Sequence, residues 1–238
     1  MIGAVNSVLD RTRILLGDSG IQRLRNSFAV IAGIGAVGGY AFEGLVRAGV
    51  GHIRVIDPDI FSETDINRQI LATDETVGCF KVEIAKKRAK TINSNITVET
   101  IKAMASIENL DEVFSGKPNY FIDAVDTVRN KTVLLREAVR RNIRTFSSMG
   151  AALHSNTDMI KVSSLKKTKV CPLASLIRHN LRDLDTSNIT CVYSEEQVIT
   201  KPRNKDIHGK SILGSLPTIP AIFGMILANE VIKDATET

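Results

Sequence analysis

The chain of 238 residues contains no tryptophan, three tyrosines and eight phenylalanines. So few rings exclude extensive aromatic stacking on nucleic-acid bases as a main mode of binding. Its three cysteines, Cys79, Cys171 and Cys191, stand far apart. That spacing excludes both a disulfide framework and paired Cys-x-x-Cys zinc ligands, and a reducing, cytoplasmic setting is expected. No apolar run reaches the ~18 residues of a membrane span. The longest, Ile219 to Val231, is broken by Pro220, Gly224 and Asn229-Glu230 and reads as a terminal core helix. Met1 to Asp10 lacks the basic start and apolar centre of a cleaved leader. No internal repeat and no low-complexity tract occurs.

What is present begins with Gly33-Ile34-Gly35-Ala36-Val37-Gly38. The apolar run Phe28 to Ala32 before it has strand length, and Gly39 to Val46 after it has helical character. Strand, glycines and helix in this order mark a nucleotide-binding turn. Gly33 permits the tight turn, Gly35 the approach of a phosphate, and Gly38 the packing of helix on strand. A second strand, His52 to Ile56, ends at Asp57. An acid at a strand end, ~20 residues past the glycines, is placed to accept hydrogen bonds from ribose hydroxyls.

The alternation continues. Lys81 to Ile92 is a helix with one basic face, Ile96 to Ile101 a strand, and Tyr120 to Val125 a strand ending at Asp126. Lys131 to Arg141 is a helix and Ile143 to Ser148 a strand. The pattern predicts an α/β protein with a Rossmann-like, doubly wound, mostly parallel sheet. The first 150 residues read as the nucleotide-binding core. Residues 151–238 read as a smaller C-terminal α/β extension continuous with it. There, strands Ile160 to Leu165 and Ile189 to Tyr193 flank a helix from Pro172 to Leu184, and Gln197 to Lys210 is a polar loop.

Charged residues near the expected nucleotide narrow the chemistry. Asn67, Arg68 and Gln69 follow a loop leaving the Asp57 strand, Lys81 opens the next helix, and Arg11 lies near the start. A dinucleotide oxidoreductase relies mostly on backbone contacts to pyrophosphate. An enzyme that cleaves the α–β bond of ATP must also stabilise departing pyrophosphate, which Arg and Lys do, with Mg²⁺ held by a carboxylate such as Asp126. Spacing alone leaves open that these are solvated surface charges.

The ordered series Gly-Ile-Gly-Ala-Val-Gly-Gly, Val-Ile-Asp-Pro-Asp, Asn-Arg-Gln-Ile, Val-Gly-x-x-Lys and Ile-Asp-Ala-Val-Asp resembles the ubiquitin-activating-enzyme-like superfamily, whose bacterial members adenylate a carboxylate. The resemblance implies that Gly35 and Asp57 hold the adenosine part, that Arg68 and Lys81 contact the phosphates, and that Asp126 coordinates Mg²⁺. It implies a homodimer in which Arg11 reaches the neighbouring subunit's ATP. Asp65 stands where that family usually has Asn, which puts an acid beside the phosphates.

The second half resembles the tRNA threonylcarbamoyladenosine dehydratases, through Arg144-Thr145-Phe146-Ser147-Ser148-Met149-Gly150, Leu165-Lys166-Lys167-Thr168, Pro172-Leu173-Ala174 and Val192-Tyr193-Ser194-Glu195-Glu196. Two departures occur. Cys171-Pro172 and Asn156-Thr157 each replace Asp-Pro. The resemblance implies ATP-dependent closure of a hydantoin ring on adenosine 37 of tRNA; a sulfur-relay protein is a further candidate partner on which the sequence is silent. An intramolecular closure needs no protein nucleophile, and Cys79 and Cys191 are expected to be small buried residues. Net charge of +5 suits a polyanion. Candidate tRNA contacts are Lys166, Lys167 and Lys169, the pair Arg178 and Arg182, and Lys201 to Lys205. Two other functions stand beside this one: adenylation of the C-terminal glycine of a ubiquitin-like sulfur carrier, and nucleotide binding without catalysis.

Overall fold

The computed structural model describes residues 7–198 and 213–237. A first helix, α1 (Asp10–Asn26), leads into β1 (Phe28–Ala32), α2 (Gly38–Ala48) and β2 (His52–Ile56). Then come α3 (Lys81–Ile92), β3 (Thr97–Ile101), the short α4 (Leu110–Val113), β4 (Tyr120–Asp123), α5 (Val128–Arg140) and β5 (Arg144–Ser148). The chain continues through β6 (Ile160–Ser164), α6 (Pro172–Asn180), β7 (Ile189–Ser194) and α7 (Thr218–Thr236).

All seven strands form one sheet in the order β3-β2-β1-β4-β5-β7-β6. Six run parallel, and β6 is an antiparallel edge strand on β7. The expected Rossmann-like parallel sheet is therefore present, and the second half continues it. Strand β1 is buried along its whole length, as a central parallel strand must be. Its side chains alternate between two cores. Ala29 and Ile31 pack with Leu24, Phe42, Leu45, Val82 and Phe223; Phe28, Val30 and Ala32 pack with Phe121, Leu134 and Ile177. The C-terminal helix buries Ile219, Phe223, Leu227, Val231 and Ala235, and Gly224 lets it approach α2. A Cβ there would lie 2.3 Å from the Val37 carbonyl oxygen.

Strand order reverses between β1 and β4, where Ala32 and Asp123 are register partners. A ligand crevice is expected outside the C-terminal ends of these two strands. Three boundaries differ by several residues from expectation. Strand β4 stops at Asp123, because the Val125 N–H turns back to Asp123 Oδ1 at 3.2 Å. Asp126 thus lies in the loop beyond the strand, and α5 begins at Val128, before Lys131. Helix α6 stops at Asn180 instead of Leu184, where Arg136 takes the Asn180 carbonyl at 2.7 Å.

Candidate active site

The glycine turn divides its work. Gly33 has φ of +89°, and a Cβ there would lie 2.8 Å from the Ala124 carbonyl oxygen. A Cβ on Gly38 would lie 1.8 Å from the Gly33 carbonyl oxygen. Both glycines are thus required by the protein's own packing. Gly35 differs: the nearest atom to a Cβ is Gln69 Nε2, at 3.9 Å. The space above Gly35 is open for a ligand. Helix α2 starts here with no side-chain cap on Val37; the Gly39 N–H donates to the Gly35 carbonyl at 2.9 Å, and the helix N-terminus carries the partial positive charge that favours an anion.

Asp57 ties β2 to this turn. Its Oδ2 accepts from the Ile34 N–H at 2.7 Å, and its Oδ1 accepts from the Asp59 N–H at 2.9 Å. Burial pushes its carboxyl above the ordinary range, against the pull of those hydrogen bonds and of Lys81. Lys81 is buried at the start of α3, 3.2 Å from Asp59 Oδ2 and 5.8 Å from the centre of the Phe61 ring.

Asn67, Arg68 and Gln69 sit on a turn organised by Asp65. The buried Asp65 carboxylate accepts from Gln69 Nε2 at 2.6 Å, from Arg68 Nη2 at 3.4 Å and from the Ser62 N–H at 3.0 Å. Its acid is thereby matched by local donors. Arg68 also donates to the Thr64 carbonyl at 2.6 Å and to Asn67 Oδ1 at 2.9 Å. Asn67 Nδ2 donates to the Ser215 carbonyl, and the Leu153 N–H to the Gly214 carbonyl. The segment before α7 thus links the turn from Asp65 to Gln69 with the loop after β5.

Asp126 projects from the β4–α5 loop, which is laid against the glycine turn by the Ala124 N–H donating to the Ala32 carbonyl at 2.9 Å. Two buried polar atoms in this region have no partner, Gln69 Oε1 and Thr127 Oγ1. Together with the open Gly35 and the uncapped α2, they fit a bound nucleotide. No group of three or more His, Cys, Asp or Glu that could hold a metal exists among the described residues. Mg²⁺ needs no such cage when it rides on phosphates with one or two carboxylates, which suits Asp126.

Gly33, Gly35, Gly38, Asp57, Asn67, Arg68, Gln69, Lys81 and Asp126 therefore gather at one end of the sheet. Arg11 does not join them. It is exposed in the first turn of α1, and Leu9 just before it touches Gly49, past the far end of α2. The proposed RNA contacts scatter as well. Lys166 lies 3.7 Å from Asp185, near the start of β7 and so at the opposite end of the sheet from the glycines. Arg178 is turned inward, donating to the Thr168 carbonyl at 2.9 Å. Lys167, Lys169 and Arg182 are exposed, and Lys201 to Lys205 lies outside the described residues. Cys191 is buried and its thiol is pushed up by that burial, which suits no nucleophile. Cys79 is only partly buried, contrary to expectation, because it sits in the turn before α3.

One cluster escaped the sequence. Asp123, Lys131 and Ser147 are all fully buried and bonded to one another. The one signal was Lys131 itself, on the apolar face of a helix with Leu134, Leu135 and Ala138.

Residues 9–238 match the model of the ThiF family. The chain belongs to that family. The tRNA threonylcarbamoyladenosine dehydratase of Bacillus subtilis is 32% identical over 94% of this chain and 92% of its own length. Crystal structures of the Escherichia coli tRNA N6-threonylcarbamoyladenosine dehydratase, in complex with AMP and with ATP, each superpose with a TM-score of 0.87. The AMP complex is 29% identical and is aligned over 95% of this chain and 93% of that one. A Saccharomyces cerevisiae adenylyltransferase and sulfurtransferase is 27% identical over 63% of this chain and 34% of its own length. As a ThiF-family protein this chain is an ATP-dependent enzyme.

Proposed function

We propose that this ThiF-family enzyme cyclises threonylcarbamoyladenosine at position 37 of tRNA. ATP supplies an activated α-phosphorus that takes up the threonyl carboxylate and releases pyrophosphate. A nitrogen of the same modification then closes the ring, AMP departs and the nitrogen loses its proton. The observation that carries this reading is whole-length similarity to the dehydratases, against similarity over 63% of the chain to the sulfurtransferase relative.

The chain's own residues have defined tasks in this reading. The Gly35 backbone and the first turn of α2 receive phosphate oxygens. Asp57 accepts the ribose hydroxyls, and its bonds to Ile34 and Asp59 hold it in place for that contact. Lys81 and Arg68 place positive charge where pyrophosphate departs. Asn67 and Gln69 complete the phosphate side, and Asp126 holds Mg²⁺, which neutralises phosphate charge when bound. A second copy supplies Arg11, which lies far from its own subunit's glycine turn. Exposed Ile14 and Leu15 beside Arg11 give that copy an apolar contact.

No helix among the described residues is long and apolar enough to cross a membrane, and we assign the enzyme to the cytoplasm. Lys167, Lys169 and Arg182 remain exposed for RNA phosphates. A sulfur-relay protein is kept as a candidate partner. The test is pyrophosphate release with three additions: tRNA carrying threonylcarbamoyladenosine, the same tRNA unmodified, and a sulfur carrier ending in Gly-Gly. Release stimulated by the modified tRNA alone supports the reading. Release stimulated by the carrier alone replaces it with the sulfur-carrier function.

A further inference from the structure

Lys131 and Asp123 form a fully buried ion pair, with Lys131 Nζ 2.6 Å from Asp123 Oδ2. Ser147 Oγ donates to the same carboxylate oxygen at 2.6 Å, and Lys131 Nζ lies 3.5 Å from Ser147 Oγ. Taking two charges out of water is costly, and apolar residues of similar volume often serve stability as well or better. Lys131 also sits in the first turn of α5, where the helix dipole disfavours a cation. Stability alone therefore does not account for the pair.

Its connections do. Asp123 ends β4, Lys131 belongs to α5, and Ser147 is the register partner of Asp123 on β5. The pair thus spans the loop that carries Asp126. The second oxygen of Asp123 accepts from the Val125 N–H, inside that loop. On its other side the loop is pinned to the glycine turn, through the bond from Ala124 to Ala32 and the close approach of Ala124 to Gly33 and Gly38. The segment is clamped between the triad and the nucleotide turn.

We propose that Asp123, Lys131 and Ser147 are positioning residues that set the Asp126 carboxylate against the nucleotide's phosphates. The proposal rests on Asp126 being the Mg²⁺ ligand. It assigns the buried triad the role that outer-shell partners play at metal sites, where their loss costs about 10- to 100-fold in metal affinity.

The test compares the full chain with three variants: Asp126→Asn, the neutral double variant Asp123→Asn/Lys131→Met, and Ser147→Ala. Two readouts are taken. One is the Mg²⁺ concentration giving half-maximal pyrophosphate release. The other is ATP affinity by calorimetry, with and without Mg²⁺. Asp126→Asn and the double variant each raise the Mg²⁺ requirement about tenfold or more. In the double variant, ATP affinity without Mg²⁺ stays within about twofold, because no phosphate-binding group is touched. Ser147→Ala removes one hydrogen bond and no charge, and raises the Mg²⁺ requirement about threefold. It decides the question if the double variant does not fold. A normal Mg²⁺ requirement in Asp126→Asn overturns the metal assignment and the proposal together. A raised requirement in Asp126→Asn with a normal one in the triad variants overturns positioning alone and leaves the metal assignment standing. A lower melting temperature with an unchanged Mg²⁺ requirement marks the triad as merely structural and also overturns the proposal.

Discussion

The Lys81 ammonium lies 3.2 Å from the Asp59 carboxylate, yet the two differ sharply in exposure: 7% of the Lys81 side chain is exposed and 62% of that of Asp59. The lysine is held by its surroundings, while the acid is a solvated neighbour. Lys81→Met is therefore expected to lower turnover about 10²–10³-fold, the scale for one preorganised charge donor. Asp59→Asn is expected to change turnover by no more than about threefold, since exposed pairs are weak. Steady-state kinetics of both variants check this. Arg68→Ala should match Lys81→Met in size while keeping its melting temperature.

The glycines predict opposite signatures. Gly38→Ala drives a Cβ into the Gly33 carbonyl and should cost about 3 kcal/mol of stability, the upper end of the overpacking range. Gly35→Ala meets nothing closer than 3.9 Å and should melt like the parent while losing ATP affinity. Thermal denaturation alongside calorimetric ATP titration separates the two. A Gly35→Ala variant that binds ATP normally would remove Gly35 from the site.

Asp65 tests whether an acid near the phosphates repels them. The Ser62 N–H, Ser62 Oγ, Arg68 Nη2 and Gln69 Nε2 all donate to its carboxylate. Asp65→Asn turns one acceptor into a donor and should cost about 1–2 kcal/mol. ATP affinity should stay nearly unchanged, because the Asp65 charge is already met by Arg68 and Gln69. A large gain in affinity would show that the acid opposes ATP.

Acid should loosen the α2–α3 contact. Burial alone would raise the Glu43 carboxyl, but hydrogen bonds from Arg88 and Arg47 outweigh it and hold Glu43 below its ordinary value of 4.5. A group lowered in the folded state contributes stability above its unfolded value and loses it as pH falls through the folded one. The melting temperature should therefore fall as pH drops below about 4.5, and Glu43→Gln should show a shallower fall over that window. Equal slopes would mean that Glu43 is not part of acid unfolding.

The fold was legible because local signals agreed. Strand β1 was a continuous apolar run, the glycines ended it, and α2 followed. The ends of β4 and α6 were not legible, because side chains set them: Asp123 captures the Val125 N–H, and Arg136 captures the Asn180 carbonyl. That the glycines, Asp57, Arg68, Lys81 and Asp126 share one end of the sheet was legible from motif order. The triad was not, because Asp123 and Ser147 read as ordinary strand residues until register places them side by side. The inward turn of one basic residue was not legible for a related reason. Spacing along α6 could not reveal that Arg178 turns inward to Thr168.

The central claim is the reaction itself. The purified chain is incubated with ATP, Mg²⁺ and tRNA carrying threonylcarbamoyladenosine, and the nucleosides are weighed by mass spectrometry. The account predicts that the modified nucleoside loses the mass of one water, only when ATP is present. An unchanged nucleoside, with pyrophosphate released in response to a Gly-Gly-tailed carrier, would contradict it.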